Sequence, residues 1–291
     1  MINNKKHTIK INVLFCAFII FTMSSNSQTI NIINSSTSVA HTGTSDIGEW
    51  TTLNNPAALA YVKTFQIGLL YDNRFGMSQL ATKAIQIAYP SKGFNCATSI
   101  SHYGYSLYNE LNCGLILARN FGDKFAIGIQ SNYYATYFSN LNRYLGTLIV
   151  QFGVNTQISP NLSMAFHAFN PMQLDIKTDN SQKYVISLFS FGSNYSFTPQ
   201  CSWRAQIDKQ LHFPYRIATA IDYRVVEPLK IKVGAYYSQF FVPCLGLALY
   251  QHGFVLHLNS EVHPFLGITN CFALKYNFNN TSLTTKSINE E

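Results

Sequence analysis

Apolar and polar side chains alternate along most of the chain, and the alternation is sharpest near its end. Phe272, Leu274, Tyr276 and Phe278 share one parity, while Cys271, Ala273, Lys275 and Asn277 fall between them. A period of two sets one face of a strand against an apolar medium and the other against something different. From residue 64 onward fourteen segments read as strands: 64–72, 81–89, 93–103, 111–119, 124–134, 146–157, 161–169, 184–196, 201–208, 215–223, 229–238, 242–249, 252–259 and 270–278. In 201–208, Trp203, Ala205 and Ile207 oppose Arg204, Gln206 and Asp208. In 215–223 the apolar parity runs from Tyr215 to Tyr223, against Arg216, Ala218, Ala220 and Asp222; in 229–238, Leu229, Ile231 and Val233 oppose Lys230, Lys232 and Gly234. Such lengths suit tilted strands crossing the apolar layer of a bilayer. Tight turns are expected at Asn120–Asp123, Ser159–Asn161, Thr198–Gln200 and Glu227–Pro228, and longer connections near 73–80, 135–145, 170–183 and 260–269.

Composition decides what the apolar face meets. Hydrophobic residues make up 47% of the chain and aromatics 14%, but charged residues only 11%. A soluble protein carries about a quarter charged residues, and a soluble sandwich would cover its outside with them. In lipid an open sheet edge leaves backbone groups unpaired, so only a closed sheet is stable there. The expected fold is all-β: a transmembrane antiparallel β-barrel of about 14 strands over residues 64–278, in the outer membrane with lipid around it.

Both ends differ from this body. Lys5, Lys6, His7 and Lys10 precede an apolar run from Ile11 to Met23, then a small polar stretch ending at Gln28. Residues 1–28 therefore read as an export signal, too short in apolar length to span as a helix. Residues 29–63, rich in Ser, Thr, Asn and Gly, read either as an N-terminal plug folded into the barrel or as a lead-in outside it. Residues 279–291 read as a polar, disordered tail.

Catalytic and metal chemistry find no footing in the sequence. The mature histidines are scattered with no HExxH spacing, and no phosphate- or dinucleotide-binding glycine pattern occurs. Cys96, Cys113, Cys201, Cys244 and Cys271 include no close CxxC pair; an odd number leaves at most partial pairing. The formal charge of +7 falls by three without Lys5, Lys6 and Lys10, and no basic cluster points to nucleic acid. The expectation is a protein that is not an enzyme and holds no cofactor or metal. Glycines such as Gly114, Gly128, Gly146, Gly153, Gly192 and Gly234 are read as sites of close packing and twist within a barrel.

Asn55-Pro56-Ala57, followed by Ala58-Leu59-Ala60 and then the first strand, resembles the NPA-containing N-terminal segment of the fatty-acid transporter superfamily of outer-membrane barrels. That resemblance implies fourteen strands and a preceding plug-like segment. The Gln-ended leader and the aromatic, Asn-rich strands are similar to Bacteroidetes outer-membrane proteins, in which this fold also serves as accessory barrels of type IX secretion. Phe278 resembles the terminal aromatic residue of an assembly-targeting strand, although thirteen residues follow it.

Two sets of residues are candidates for function. Asn55, Pro56 and Ala57 form either a gate or a rigid turn. Arg204, Asp208, Arg216, Asp222, Lys230, Lys232 and Lys275 fall on the lumen parity; they either neutralise one another or line a path for a carboxylate-headed amphiphile. The functional expectation is passage or binding of hydrophobic or amphiphilic small molecules, with a hydrophobic ligand as partner. The alternative is an envelope-assembly or secretion component with a protein partner.

Overall fold

The computed structural model describes residues 38–278 apart from 48–49, 123, 140–141, 179–180 and 184. The expected leader and tail lie outside the described residues. Fourteen strands close into a ring. They are β1 (Gln66–Asn73), β2 (Ala81–Tyr89), β3 (Asn95–Gly104), β4 (Tyr108–Phe121), β5 (Phe125–Phe138), β6 (Arg143–Ser159) and β7 (Leu162–Phe169), continued by β10 (Leu188–Ser196), β11 (Cys201–Gln210), β12 (Tyr215–Val226), β13 (Leu229–Tyr237), β14 (Phe241–Gln251), β15 (Phe254–His263) and β16 (Gly267–Asn277). Each pairs antiparallel with its neighbour, and β1 joins β16 from Gln66↔Asn277 to Asn73↔Asn270, leaving no edge. Between β7 and β10, β8 (Ile176–Thr178) and β9 (Ser181–Lys183) form a separate two-stranded hairpin.

Side-chain burial follows the two-residue period. On β12, Ile217 and Ile221 are 57% and 50% exposed, whereas Ala218 and Ala220 between them are buried. Leu115, Ile129, Leu148, Phe191, Ile207, Leu245 and Phe272 extend the same apolar exterior around the ring. A band of this kind is stable only against lipid, because water would meet a far larger apolar patch than soluble proteins expose. The chain is an outer-membrane β-barrel. Replacing Ile221, midway along β12, with arginine is expected to cost about 2–4 kcal/mol of folding free energy in lipid. Reversible unfolding in phospholipid vesicles measures it.

The two rims differ. The near rim, where the barrel begins and ends, has short connections such as 160–161, 227–228 and 252–253. The far rim carries 74–80 and the long 170–187 connection that holds the hairpin. This asymmetry assigns the far rim to the cell exterior. Two connections expected to be long are short, 139–142 and 264–266, because the flanking strands run on toward the rim. No disulfide joins the described cysteines.

Candidate functional site: the occupied lumen

Inside the ring lie the described residues of 38–62, which precede β1. Pro56–Tyr61 forms a 3-10 helix against β4, β5 and β6, and Val39–His41 forms a tight turn, with Ala40 and His41 in the left-handed region, against β12, β13 and β14. Trp50 sits between them against Leu70, Ala84, Cys271 and Ala273. Val39, Ala40, Trp50, Asn55, Ala57, Ala58 and Leu59 are all buried.

Asn55 explains the local turn. It is the N-cap of the 3-10 helix: its Oδ1 accepts from the Ala57 N–H at 3.0 Å, and Pro56 occupies the first helical position without a donor to lose. Its Nδ2 donates to the Thr44 carbonyl at 2.9 Å and reaches the Val154 carbonyl of β6 at 3.4 Å. One amide thereby ties the turn to itself, to the preceding segment and to the wall.

The wall is cut to fit. Gly128 and Gly153 are paired across β5 and β6. A Cβ on Gly128 would overlap the Pro56–Ala57 backbone, and one on Gly153 would overlap Asn55 Oδ1. The same holds elsewhere: a Cβ on Gly68 would lie 2.8 Å from Trp50, on Gly234 3.0 Å from Ala40, and on Gly246 2.5 Å from Val39. Missing side chains on five strands make room for one segment. Asn95 closes the near rim, its Nδ2 donating to the carbonyls of Leu59, Ala60 and Val62 at 2.9, 3.2 and 2.8 Å. Asn120 donates to the Ala60 carbonyl as well, at 2.8 Å.

The charged lumen residues fall into linked sets. Arg204, 2% exposed, bonds Asp222 on β12 at 2.7 Å and Asp46 of the inner segment at 3.0 Å. Asp208 pairs with Arg216 at 2.9 Å and accepts from Gln206, whose own Oε1 accepts from the Thr44 N–H. Lys232 faces Asp222 in the ladder, and its Nζ lies 3.5 Å from His257 Nδ1. Lys230 lies over the Tyr250 ring, and buried Lys275 stands opposite Gly68 and Val255. The structure therefore brings Arg204, Asp208, Arg216, Asp222 and Lys232 to one sector, with Lys230 two residues from Lys232 on the same face of β13, and sets Lys275 apart on β16. His41 adds a further tie to the wall, through Glu261 at 2.9 Å.

One cluster had no signal in the sequence. Lys183 of β9 reaches inward to Glu110, Thr136, Tyr108 and Tyr134 at 2.6, 2.8, 2.8 and 3.1 Å, while Tyr108 donates to the same carboxylate. Ile176 of β8 packs beside them against Tyr134, Ile149, Phe169 and Leu188. Burial pushes the Lys183 ammonium below its ordinary pKa, outweighing the opposing pull of Glu110. A desolvated pair of this kind fixes geometry more than it adds stability. Lys183→Met is expected to free the hairpin, raising the rate of protease cleavage within 170–187 several-fold while the barrel stays intact. Limited proteolysis of the folded protein reads both.

Parts of the lumen wall remain polar and uncapped. Buried atoms of Asn112, Gln130, Asn132 and Asn155 have no protein partner among the described residues. Buried groups of this type are satisfied by water. Among the described residues no group of three or more His, Cys, Asp or Glu is placed to hold a metal.

The barrel has clear structural counterparts. A crystal structure of a Pseudomonas aeruginosa FadL homologue superposes with a TM-score of 0.63 at 10% identity, over 88% of this chain and all of that one. The CymD monoaromatic hydrocarbon channel gives 0.59 at 8% identity, over 80% and 94% of the two chains. The Pseudomonas putida toluene transporter TodX gives 0.57 at 9%, over 78% and 94%. At these identities the likeness is one of fold: this barrel resembles known channels for hydrophobic molecules. No family model and no curated protein sequence matches the chain.

Proposed function

We propose that this barrel passes hydrophobic or amphiphilic small molecules across the outer membrane, with residues 38–62 as the gate of its lumen. The observation that carries this reading is the kind of contact holding the inner segment. Apart from small apolar clusters around Leu59, Val39 and Trp50, it is held by amides, backbone carbonyls and ion pairs at the wall. Water can replace the neutral contacts at small net cost, and Arg204 keeps Asp222 when Asp46 leaves, so a segment held this way can shift without unfolding the barrel. Asn55, Pro56 and Ala57 are the fixed point of the gate on the Gly128–Gly153 seat, and the Arg204–Asp46 pair is the contact that breaks when it opens.

The test is uptake of a long-chain fatty acid and of a monoaromatic hydrocarbon into vesicles with a lipopolysaccharide outer leaflet. Uptake faster than in protein-free vesicles supports the reading, and equal rates count against it. The filled lumen favours a second role, as a non-transporting component of envelope assembly or of type IX secretion. That role requires a stoichiometric envelope protein in gently purified preparations, together with no uptake.

A further inference from the structure

The described molecule also carries an apolar groove of about 480 Å³ on the outside of its wall, across the seam where the first and last strands meet. The strand register resolves it into two tiers. In the lower tier Leu256, Leu274, Leu69, Ile85 and Ile100 stand in one cross-strand row over β15, β16, β1, β2 and β3. The next row toward the far rim runs Phe272, Tyr71, Lys83, His102 over β16, β1, β2 and β3. Phe272, Tyr71, Lys83 and His102 line the groove together with the aliphatic row. Small residues, Ala84 and Ala273, form its floor.

Lys83 stands two residues from the far-rim end of β2, where a lysine on the lipid face reaches the level of the headgroups and meets anionic groups there. Lys83 is exposed and His102 half-buried, and neither side chain has a hydrogen bond or ion pair among the described residues. No carboxylate lies beside them: the register neighbours on this face are Tyr71, Phe272 and Leu111. Each row is suited to a different part of one molecule. An aliphatic trough of this volume accepts an acyl chain, and an ammonium flanked by a phenol and an imidazole one step nearer the far rim accepts a phosphate.

We infer that the groove over β15, β16, β1, β2 and β3 is a binding site for one membrane lipid, its acyl chain along the leucine–isoleucine row and its anionic phosphate headgroup on Lys83. The occupant is a lipid of the surrounding bilayer and not cargo of the lumen, so the site stands whether or not the barrel transports.

Native mass spectrometry of the full-length barrel, offered phosphatidylglycerol and phosphatidylcholine with identical chains, tests it. The expected result is several-fold preferential retention of phosphatidylglycerol. Lys83→Gln is expected to bring the ratio close to one, whereas Lys209→Gln, at a cation elsewhere on the exterior, leaves the preference in place. Leu274→Trp, which fills the trough, is expected to reduce retention of both lipids. Equal retention by the unaltered barrel, a preference that survives Lys83→Gln, or one lost equally in Lys209→Gln would each overturn the assignment.

Discussion

Arg204→Ala is expected to destabilise the barrel by about 3–5 kcal/mol, the cost of stranding charge that was paired in a buried site. Arg204 is almost fully buried and answers two carboxylates at once, Asp222 of the wall and Asp46 of the inner segment. Its removal leaves Asp222, itself buried, in a poorly solvated place with Lys232 opposite it in the ladder, and takes from Asp46 its ion pair with Arg204. Two consequences separate. Unfolding in vesicles shifts to lower denaturant, and the stretch around Asp46 becomes open to protease from the near rim while the strands remain protected. Asp46→Asn removes only the second contact and is expected to show the protease effect with less than half of the stability loss. Equal effects from both variants would mean that the ion pair within the wall contributes little.

Gly153→Val is the complementary change, acting by volume instead of charge. Its side chain would occupy the place of Asn55 Oδ1 and press on Pro56. The rigid ladder around Gly153, paired to Gly128 and to His167, cannot withdraw. The cheaper response is displacement of the Asn55–Ala57 turn, with loss of the N-cap and of the ties to Thr44 and Val154. Losing such a cap costs about 1 kcal/mol by itself. The lumen is then expected to open, and single-channel conductance in planar bilayers should rise at least several-fold above that of the unaltered barrel. Val154→Ala, one residue along and on the opposite parity, leaves the seat intact and serves as the control.

Much of the barrel was legible because lipid enforces the period of two. The span expected at 81–89 is β2 to the residue, and β7, β11 and β13 depart by only one or two positions. Strands that ran longer include β4, β5, β6 and β15, extended at Tyr108–Glu110, Ala135–Phe138, Arg143–Leu145 and Ser260–His263. There the backbone ladder continues beyond the lipid layer, where nothing selects for alternation. The hairpin of β8 and β9 left no trace for the same reason: two three-residue strands in a polar stretch carry no period. Lys183 and Glu110 are 73 residues apart in sequence, and neither has a local feature that names the other.

The inner segment shows a different limit. Asn55-Pro56-Ala57 was read as either a gate or a rigid turn, and Gly128 and Gly153 as glycines of the wall, but the match between them is a long-range packing relation. The lumen charges were readable one strand at a time, and the Asp208–Arg216 pair follows from adjacent strands. Asp46 as the second partner of Arg204, 158 residues away, does not.

The central claim, that residues 38–62 must move for a hydrophobic molecule to pass, is tested most directly by tying them down. A Cβ on Gly192 would lie 3.2 Å from that of Thr44, close to the 3.5–4.5 Å separation of disulfide-bonded cysteines. Thr44→Cys with Gly192→Cys, in a background whose other cysteines are alanine, therefore gives a reversible lock between the segment and β10. Fatty-acid and hydrocarbon uptake into lipopolysaccharide-faced vesicles would be measured before oxidation, after it, and after reduction. The account predicts that oxidation stops uptake and that reduction restores it. Undiminished uptake by the locked barrel would contradict it.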